Sequence, residues 1–239
     1  MKLRIDKFLA DMGIGSRSDI KNYIKEYRVS INGRTVKSSG EKADTVLDNV
    51  TFDGEEIQYL EYEYYMLNKP AGVISATEDK HTETVMDLID CKRGDLFPVG
   101  RLDKDTEGLL ILTNDGLLAH NLLSPKKHID KTYFVRTNGE LKREYTDMFL
   151  NGLVVEEGFI ALPAELNILS SSENGSEAFL TIREGKFHQV KRMMEAVGNK
   201  VTYLKRVSMG PIKLPDDLKP GEYRKLTNRE IEALTGKGE

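Results

Sequence analysis

One cysteine, Cys91, stands in 239 residues, so no internal disulfide can form. A reducing compartment, the cytoplasm, is the expected location. Beside that thiol there are four histidines, and no set of them has the spacing of a zinc site, so no metal is expected. No stretch approaches the roughly 18 apolar residues needed to span a bilayer, which argues against a membrane partner. The opening Met1-Lys2-Leu3-Arg4-Ile5-Asp6-Lys7 lacks the apolar core of a secretory signal. An overall positive charge is missing as well, the formal net charge being −4. What is present is 39% hydrophobic and 31% charged residues, a balance that suits a globular chain and excludes a disordered one. The length is comfortable for two domains.

The charge is unevenly placed. Residues 2–37 hold nine Lys/Arg against four Asp/Glu, and residues 183–206 hold seven against two. Phosphate contact depends on local field, so two basic patches on an acidic background can still bind RNA; solvated charged faces are the plain alternative. Leu3, Ile5, Phe8, Leu9 and Met12 fall at helical spacing up to Gly13 and Gly15, and Ser16 is placed to cap a second helix reaching about Tyr27. Val29 and Ile31 alternate before the hairpin turn Asn32-Gly33, and Asp53-Gly54 is another turn. Polar residues 55–63 have the character of a linker. Beyond them, strands are expected at 64–67, 109–113, 132–137, 159–163, 178–182 and 200–207. Helices are expected at 84–89, 117–123, 142–151 and 188–197. Their irregular mixing predicts an α+β fold. Residues 170–176 look like a low-complexity loop and 236–239 like a frayed tail.

Two resemblances sharpen this. Arg4-Ile-Asp-Lys7-Phe-Leu-Ala, Gly13, Ser16-Arg17-Ser-Asp-Ile and Arg28-Val-Ser-Ile-Asn-Gly-Arg34 resemble an S4 RNA-binding domain over roughly residues 2–55. Its helices and hairpin would carry Lys7, Arg17, Lys21, Arg28 and Arg34 to phosphates, contacts that set affinity and position rather than sequence. Tyr27 departs from the pattern, which usually has Gly there. The second stretch is Gly100-Arg101-Leu102-Asp103-Lys104-Asp105-Thr106-Glu107-Gly108-Leu109-Leu110, with Lys69-Pro70-Ala71-Gly72 upstream. Downstream come Lys131-Thr132-Tyr133 and Glu184-Gly-Lys186-Phe187-His188-Gln189-Val190-Lys191-Arg192-Met193. Four motifs in this order resemble the RsuA-type pseudouridine synthases. Rival readings of the central motif fail on detail. A calcium loop starting at Asp103 would need a bidentate Glu where Asn114 stands, and a phosphotransferase Asp-x-Asp-x-Thr would need its Thr one residue later than Thr106. His188 alone is more often a structural histidine than a ligand.

The reaction implied by the resemblance breaks the N1–C1′ bond of uridine, turns the uracil and joins C5 to C1′. It involves neither redox change nor group transfer, so no cofactor is expected. Asp103 is implied as the catalytic carboxylate, with attack on C1′, addition to C6 and removal of a 2′ proton all open to it. Lys191 is implied as the cation that keeps it ionised, at a position where many relatives carry Arg. Tyr133 is implied to stack on the uracil and assist at C5, although a strand tyrosine is otherwise usually core. Arg101 would fill the space left by a flipped uridine. Lys69 and Gly72 would shape the pocket, and Lys186, Arg192, Lys205 and Arg206 would contact phosphates. Asp105 and Glu107 are assigned no chemistry.

The expected architecture is an S4-like (helix-helix-strand) domain at 1–58, then a catalytic domain at 60–235 on a mixed, mainly antiparallel sheet with flanking helices. The 187–199 stretch and Ser124-Pro-Lys-Lys-His128 are most similar to the small-subunit branch of the family. That implies 16S rRNA, at the uridine conventionally numbered 516, in a small-subunit assembly particle, with the enzyme a monomer. A 23S-directed synthase or a non-catalytic S4-type ribosome-binding factor are the alternatives.

Overall fold

Ile5, Phe8 and Leu9 are all buried on one helical face, and they anchor the first of two compact units into which the chain divides: Met1–Glu63 with Asp90–Leu96, and Tyr64–Ile89 with Phe97–Glu239. The structure, a computed structural model, describes residues 1–91, 93–156 and 158–236; the expected tail beyond Gly236 lies outside the described residues.

The first unit runs β1 (Lys2–Arg4), α1 (Ile5–Asp11), α2 (Arg17–Lys25), β2 (Val29–Ile31), β3 (Arg34–Thr35), β4 (Lys42–Asp44), β5 (Val50–Phe52) and β6 (Glu55–Glu56). Ser16 caps α2 in a reciprocal box with Asp19, which satisfies two otherwise orphaned N–H groups. Strands β2, β3, β5 and β6 form a small antiparallel sheet, and β1 pairs with β4. Ile20, Ile24, Val29 and Val50 complete the core with the α1 residues. Residues 55–63 are less linker-like than their composition implies. β6 pairs with β5, Ile57 and Tyr59 pack on the core, and Tyr59 donates a 3.0 Å hydrogen bond to Asp11. Tyr27 occupies the left-handed region with φ of 59°, which explains why Gly is usual there.

The second unit contains β7 (Tyr64–Lys69), β8 (Phe97–Pro98), β9 (Glu107–Thr113), α3 (Gly116–Leu123), β10 (Lys131–Thr137), α4 (Glu144–Leu150), β11 (Val154–Glu156) and β12 (Phe159–Ile160). It continues with β13 (Glu165–Ser172), β14 (Gly175–Ile182), α5 (Gln189–Ala196), β15 (Val201–Met209), β16 (Ile212–Lys213), β17 (Tyr223–Lys225) and α6 (Asn228–Thr235). One sheet organises it in the order β13-β14-β10-β15-β9-β7-β17, with β16 added to β15 and β8 to β9. Every neighbour is antiparallel except β9 with β15, so the sheet is mixed and mainly antiparallel, and the fold is α+β. At that parallel crossing a Cβ on Gly108 would lie 2.2 Å from the Arg206 carbonyl oxygen, so only glycine lets the strands meet. Met66, Leu109, Ile111 and Met209 from the sheet pack with Leu118 and Leu122 of α3.

Several local expectations are corrected. Residues 84–89 form turns, with Asp87 accepting hydrogen bonds from the Thr84 amide and hydroxyl; the segment is too short for a helix. The strand expected at 159–163 ends at Ile160. Serines 170–172 and 176 lie in the β13–β14 hairpin. They carry no apolar alternation in β13 because it is the edge strand, exposed on residues 169–172. β17 and α6 had no counterpart in the sequence expectations.

Candidate active site

Asp103 sits in the turn between β8 and β9, and that turn is fixed from both sides. Upstream, Ser75 Oγ accepts from the Leu102 amide and donates to its carbonyl, both at 3.0 Å. Downstream, Lys69 at the end of β7 is wholly buried and donates to the carbonyls of Pro70 (3.0 Å), Lys104 (3.3 Å) and Thr106 (2.9 Å). Gly72, at φ of 94°, donates its backbone N–H to the Lys104 carbonyl at 2.7 Å. The Lys69-Pro-Ala-Gly72 motif therefore clamps the Asp103 turn. Burial pushes the Lys69 ammonium down to about 8, against the pull of Asp105, Asp103 and Glu107. Lys69, expected to shape the pocket and open to RNA contact, is enclosed, its three donors matched by three carbonyls.

The partner of Asp103 comes from α5. Lys191 Nζ lies 3.2 Å from Asp103 Oδ2 and 2.6 Å from Asp105 Oδ1. Burial disfavours this ammonium, but the hydrogen bonds and charges of Asp105 and Asp103 outweigh it, so its pKa is raised. Asp105 is held below the usual carboxylate range, chiefly by its hydrogen bond to Lys191. The sequence assigned Asp105 no chemistry, because its contact with a residue 86 positions away has no local signature.

His188 Nε2 is 3.5 Å from Asp103 Oδ1, a second approach that the sequence did not signal. His188 precedes α5 in the left-handed region at φ of 49°. The loop before it is pinned by Gln189, which accepts from the Lys186 amide (2.9 Å) and donates to buried Glu184 (2.8 Å).

Tyr133 of β10, 8% exposed, joins Arg101, Asp103, Thr106, Lys186, His188 and Leu204 in lining a pocket of about 60 Å³. Its register partners are Leu180 of β14 and Arg206 of β15, which place it on the central strands. A second cleft, of about 460 Å³, is lined by Gly72, Asp103, Lys104, Asp105, His188 and Lys191. Asp103 and His188 are common to both openings, so the carboxylate can be approached from the side bearing Tyr133 and from the side bearing Lys191. The structure thus brings together Asp103, Tyr133, Lys191 and Arg101.

Arg101 is exposed, and Lys186 is half exposed at the same pocket, its ammonium 4.0 Å from the centre of the Phe159 ring. Other assigned residues separate. Arg192 is engaged by Glu156, the Phe187 carbonyl and the Phe159 ring. Arg206 is corrected from phosphate contact to internal support: it is 2% exposed and its Nε donates to the Leu109 carbonyl. Glu107 accepts from the Tyr203 hydroxyl at 2.7 Å, a cross-strand role. In the first unit Lys7 pairs with Asp11, Arg34 with Glu41, and Arg28 with both oxygens of Asp53 while covering the Tyr23 and Phe52 rings. Arg17 and Lys21 are exposed one turn apart on α2, and neither forms an ion pair among the described residues.

Comparison with known proteins identifies the family. The family model described as RNA pseudouridylate synthase matches residues 63–196, and the S4 domain model matches residues 3–45. The chain is 48% identical to the Bacillus subtilis (strain 168) protein named Uncharacterized RNA pseudouridine synthase YtzG, over 97% of this chain and 98% of that one. It is 40% identical to the Yersinia pestis protein named Ribosomal small subunit pseudouridine synthase A, over 97% of this chain and 98% of that one. A solved structure named Crystal structure of pseudouridylate synthase superposes with a TM-score of 0.68 at 39% identity, covering 97% of this chain and 99% of the other. With a family match over more than half its length and relatives aligned nearly end to end, this chain belongs to the RNA pseudouridylate synthase family, isomerases that act on RNA, and carries an S4 domain at its N-terminus.

Proposed function

We propose that the protein converts one uridine of 16S rRNA to pseudouridine, with Asp103 as the catalytic carboxylate. The observation that carries the assignment is the Lys191–Asp103 pair at 3.2 Å on the rim of a pocket that also holds Tyr133 and Arg101. The Lys191 ammonium puts a positive charge beside the carboxylate that would act at C1′, at C6 or on the 2′ proton. Tyr133 stacks on the uracil and receives or relays the C5 proton. Arg101, exposed beside Asp103, occupies the gap in the RNA stack left by the flipped nucleotide, which offsets part of the few kcal/mol of unstacking.

The small-subunit substrate is supported by relatives from several organisms named Ribosomal small subunit pseudouridine synthase A, at 38–40% identity. Uridine 516 is the position proposed, in a small-subunit assembly particle in the cytoplasm. The enzyme works as a monomer, because a site entering folded rRNA needs open access. The domain at 1–58 grips RNA through Arg17, Lys21 and their basic neighbours, and the domain at 60–235 performs the chemistry.

Chemical mapping of pseudouridine in 16S and 23S RNA, free and in particles, after incubation with wild type and Asp103→Asn tests this directly. One new pseudouridine in 16S RNA with wild type, and none with the variant that still binds RNA, is expected. A site in 23S RNA would change the substrate and keep the chemistry. Full activity of Asp103→Asn would remove Asp103 from its role, and tight binding without any product would leave a binding factor.

A further inference from the structure

Phe187 is 76% exposed, an unusual position for a phenyl ring one residue from a catalytic pocket. One of its faces is taken: it stacks on His188 with ring centres 3.8 Å apart and planes 17° from parallel. The other end of that stack is continuous with the site, since His188 lines both clefts and approaches Asp103. The backbone that carries the ring is also held in place. Arg192 donates to the Phe187 carbonyl at 3.1 Å, and the loop is tied by Gln189 to its own Lys186 amide. Lys186, Lys191 and Arg192 belong to the same stretch of chain, with the Lys186 and Arg192 charges over the nearby Phe159 ring.

We propose that the Phe187–His188 stack is a platform for the base of the nucleotide next to the target uridine. The proposal rests on the RNA-modifying assignment and adds a contact to it. Flipping a uridine leaves its neighbours without a stacking partner, and a rigid aromatic face is sequence-tolerant compensation, because every base has a π surface. A protein partner is the less suitable occupant. An exposed aromatic stacked on a histidine that lines a pocket receiving a nucleotide matches a nucleobase better than an apolar protein surface. Phe187 would act as a positioning residue: it touches the flanking base and leaves the reacting atoms to Asp103 and Tyr133.

The test uses the full chain and a 16S rRNA fragment containing the proposed uridine, with 2-aminopurine placed on its 5′ or its 3′ side. Wild type is expected to quench the fluorescence at one of the two positions. Phe187→Ala should abolish that quench and weaken binding about tenfold, the scale of one base–aromatic stack; Phe187→Tyr should restore both. A quench unchanged in Phe187→Ala, or absent at both positions in wild type that binds the fragment, overturns the platform. Pseudouridine formation is scored separately on the same RNA. Its absence alongside a Phe187-dependent quench sinks the choice of RNA and leaves the platform standing. Failure of wild type to bind the fragment at all sinks both.

Discussion

Lys191 is closer to Asp105, at 2.6 Å, than to Asp103, at 3.2 Å, so the cation beside the carboxylate proposed for catalysis is itself held by a second one. Asp105 is 71% exposed, and solvent screens much of that bond. Asp105→Asn should therefore slow single-turnover pseudouridine formation by less than about tenfold, whereas Lys191→Met should cost more. If Asp105 acts only through Lys191, the double variant will be no slower than Lys191→Met alone. Additive losses in that cycle would show a separate role for Asp105. Lys191→Arg keeps the charge and should retain most of the rate.

Lys69 links the fold to the site. Lys69→Met would take the ammonium donor from the buried Thr106 carbonyl, while the Lys104 carbonyl keeps the Gly72 amide, and should cost about 1–3 kcal/mol of stability, with activity falling further as the Asp103 turn loosens. The pH dependence has a definite sign. The folded chain releases the Lys69 proton at about 8 and the unfolded chain near the ordinary 10.5. Below 8 both states hold it and the burial penalty is present in full; between the two values the unfolded state binds more protons, so stability rises with pH. Urea denaturation across that window should show the rise in wild type and a smaller one in Lys69→Met. Equal slopes would mean that Lys69 does not titrate there.

Tyr27 holds a left-handed backbone conformation at φ of 59° with its side chain 76% exposed, so little packing offsets the strain. Tyr27→Gly should stabilise the first unit by about 1 kcal/mol, since the relief of strain exceeds the extra entropy that glycine loses on folding. Chemical denaturation of the two proteins measures this, and a destabilised variant would point to a role for the tyrosine ring.

Like Lys25, Arg17 and Lys21 are exposed α2 cations that form no ion pair among the described residues. Replacing both with Gln should weaken RNA binding and lower the salt slope of the affinity by about 1–2, the value for two phosphate contacts. Charge removal at Arg28 should act differently, because that guanidinium is bound to Asp53 and to two aromatic rings. Its loss should lower stability more than the salt slope.

Much of this molecule is legible in local pattern. The apolar spacing of Ile5, Phe8 and Leu9, the Ser16 cap and the Asn32-Gly33 turn are short-range features, set by contacts within a few residues, and they reappear in the folded unit. The motif around Asp103 is contiguous for the same reason. The edge strand β13 escaped notice because exposed serines carry no hydrophobic period, and the segment 84–89 resembled a helix until only turns closed. What tertiary structure alone decided is pairing at long range. Lys69 is enclosed because β7 ends beside Gly108 of β9, Arg206 is buried because β15 runs parallel to β9, and Asp105 meets Lys191 across 86 residues. Sequence supplied the functional groups; burial and partner choice depend on which strands become neighbours, a property of the whole sheet that no single segment encodes.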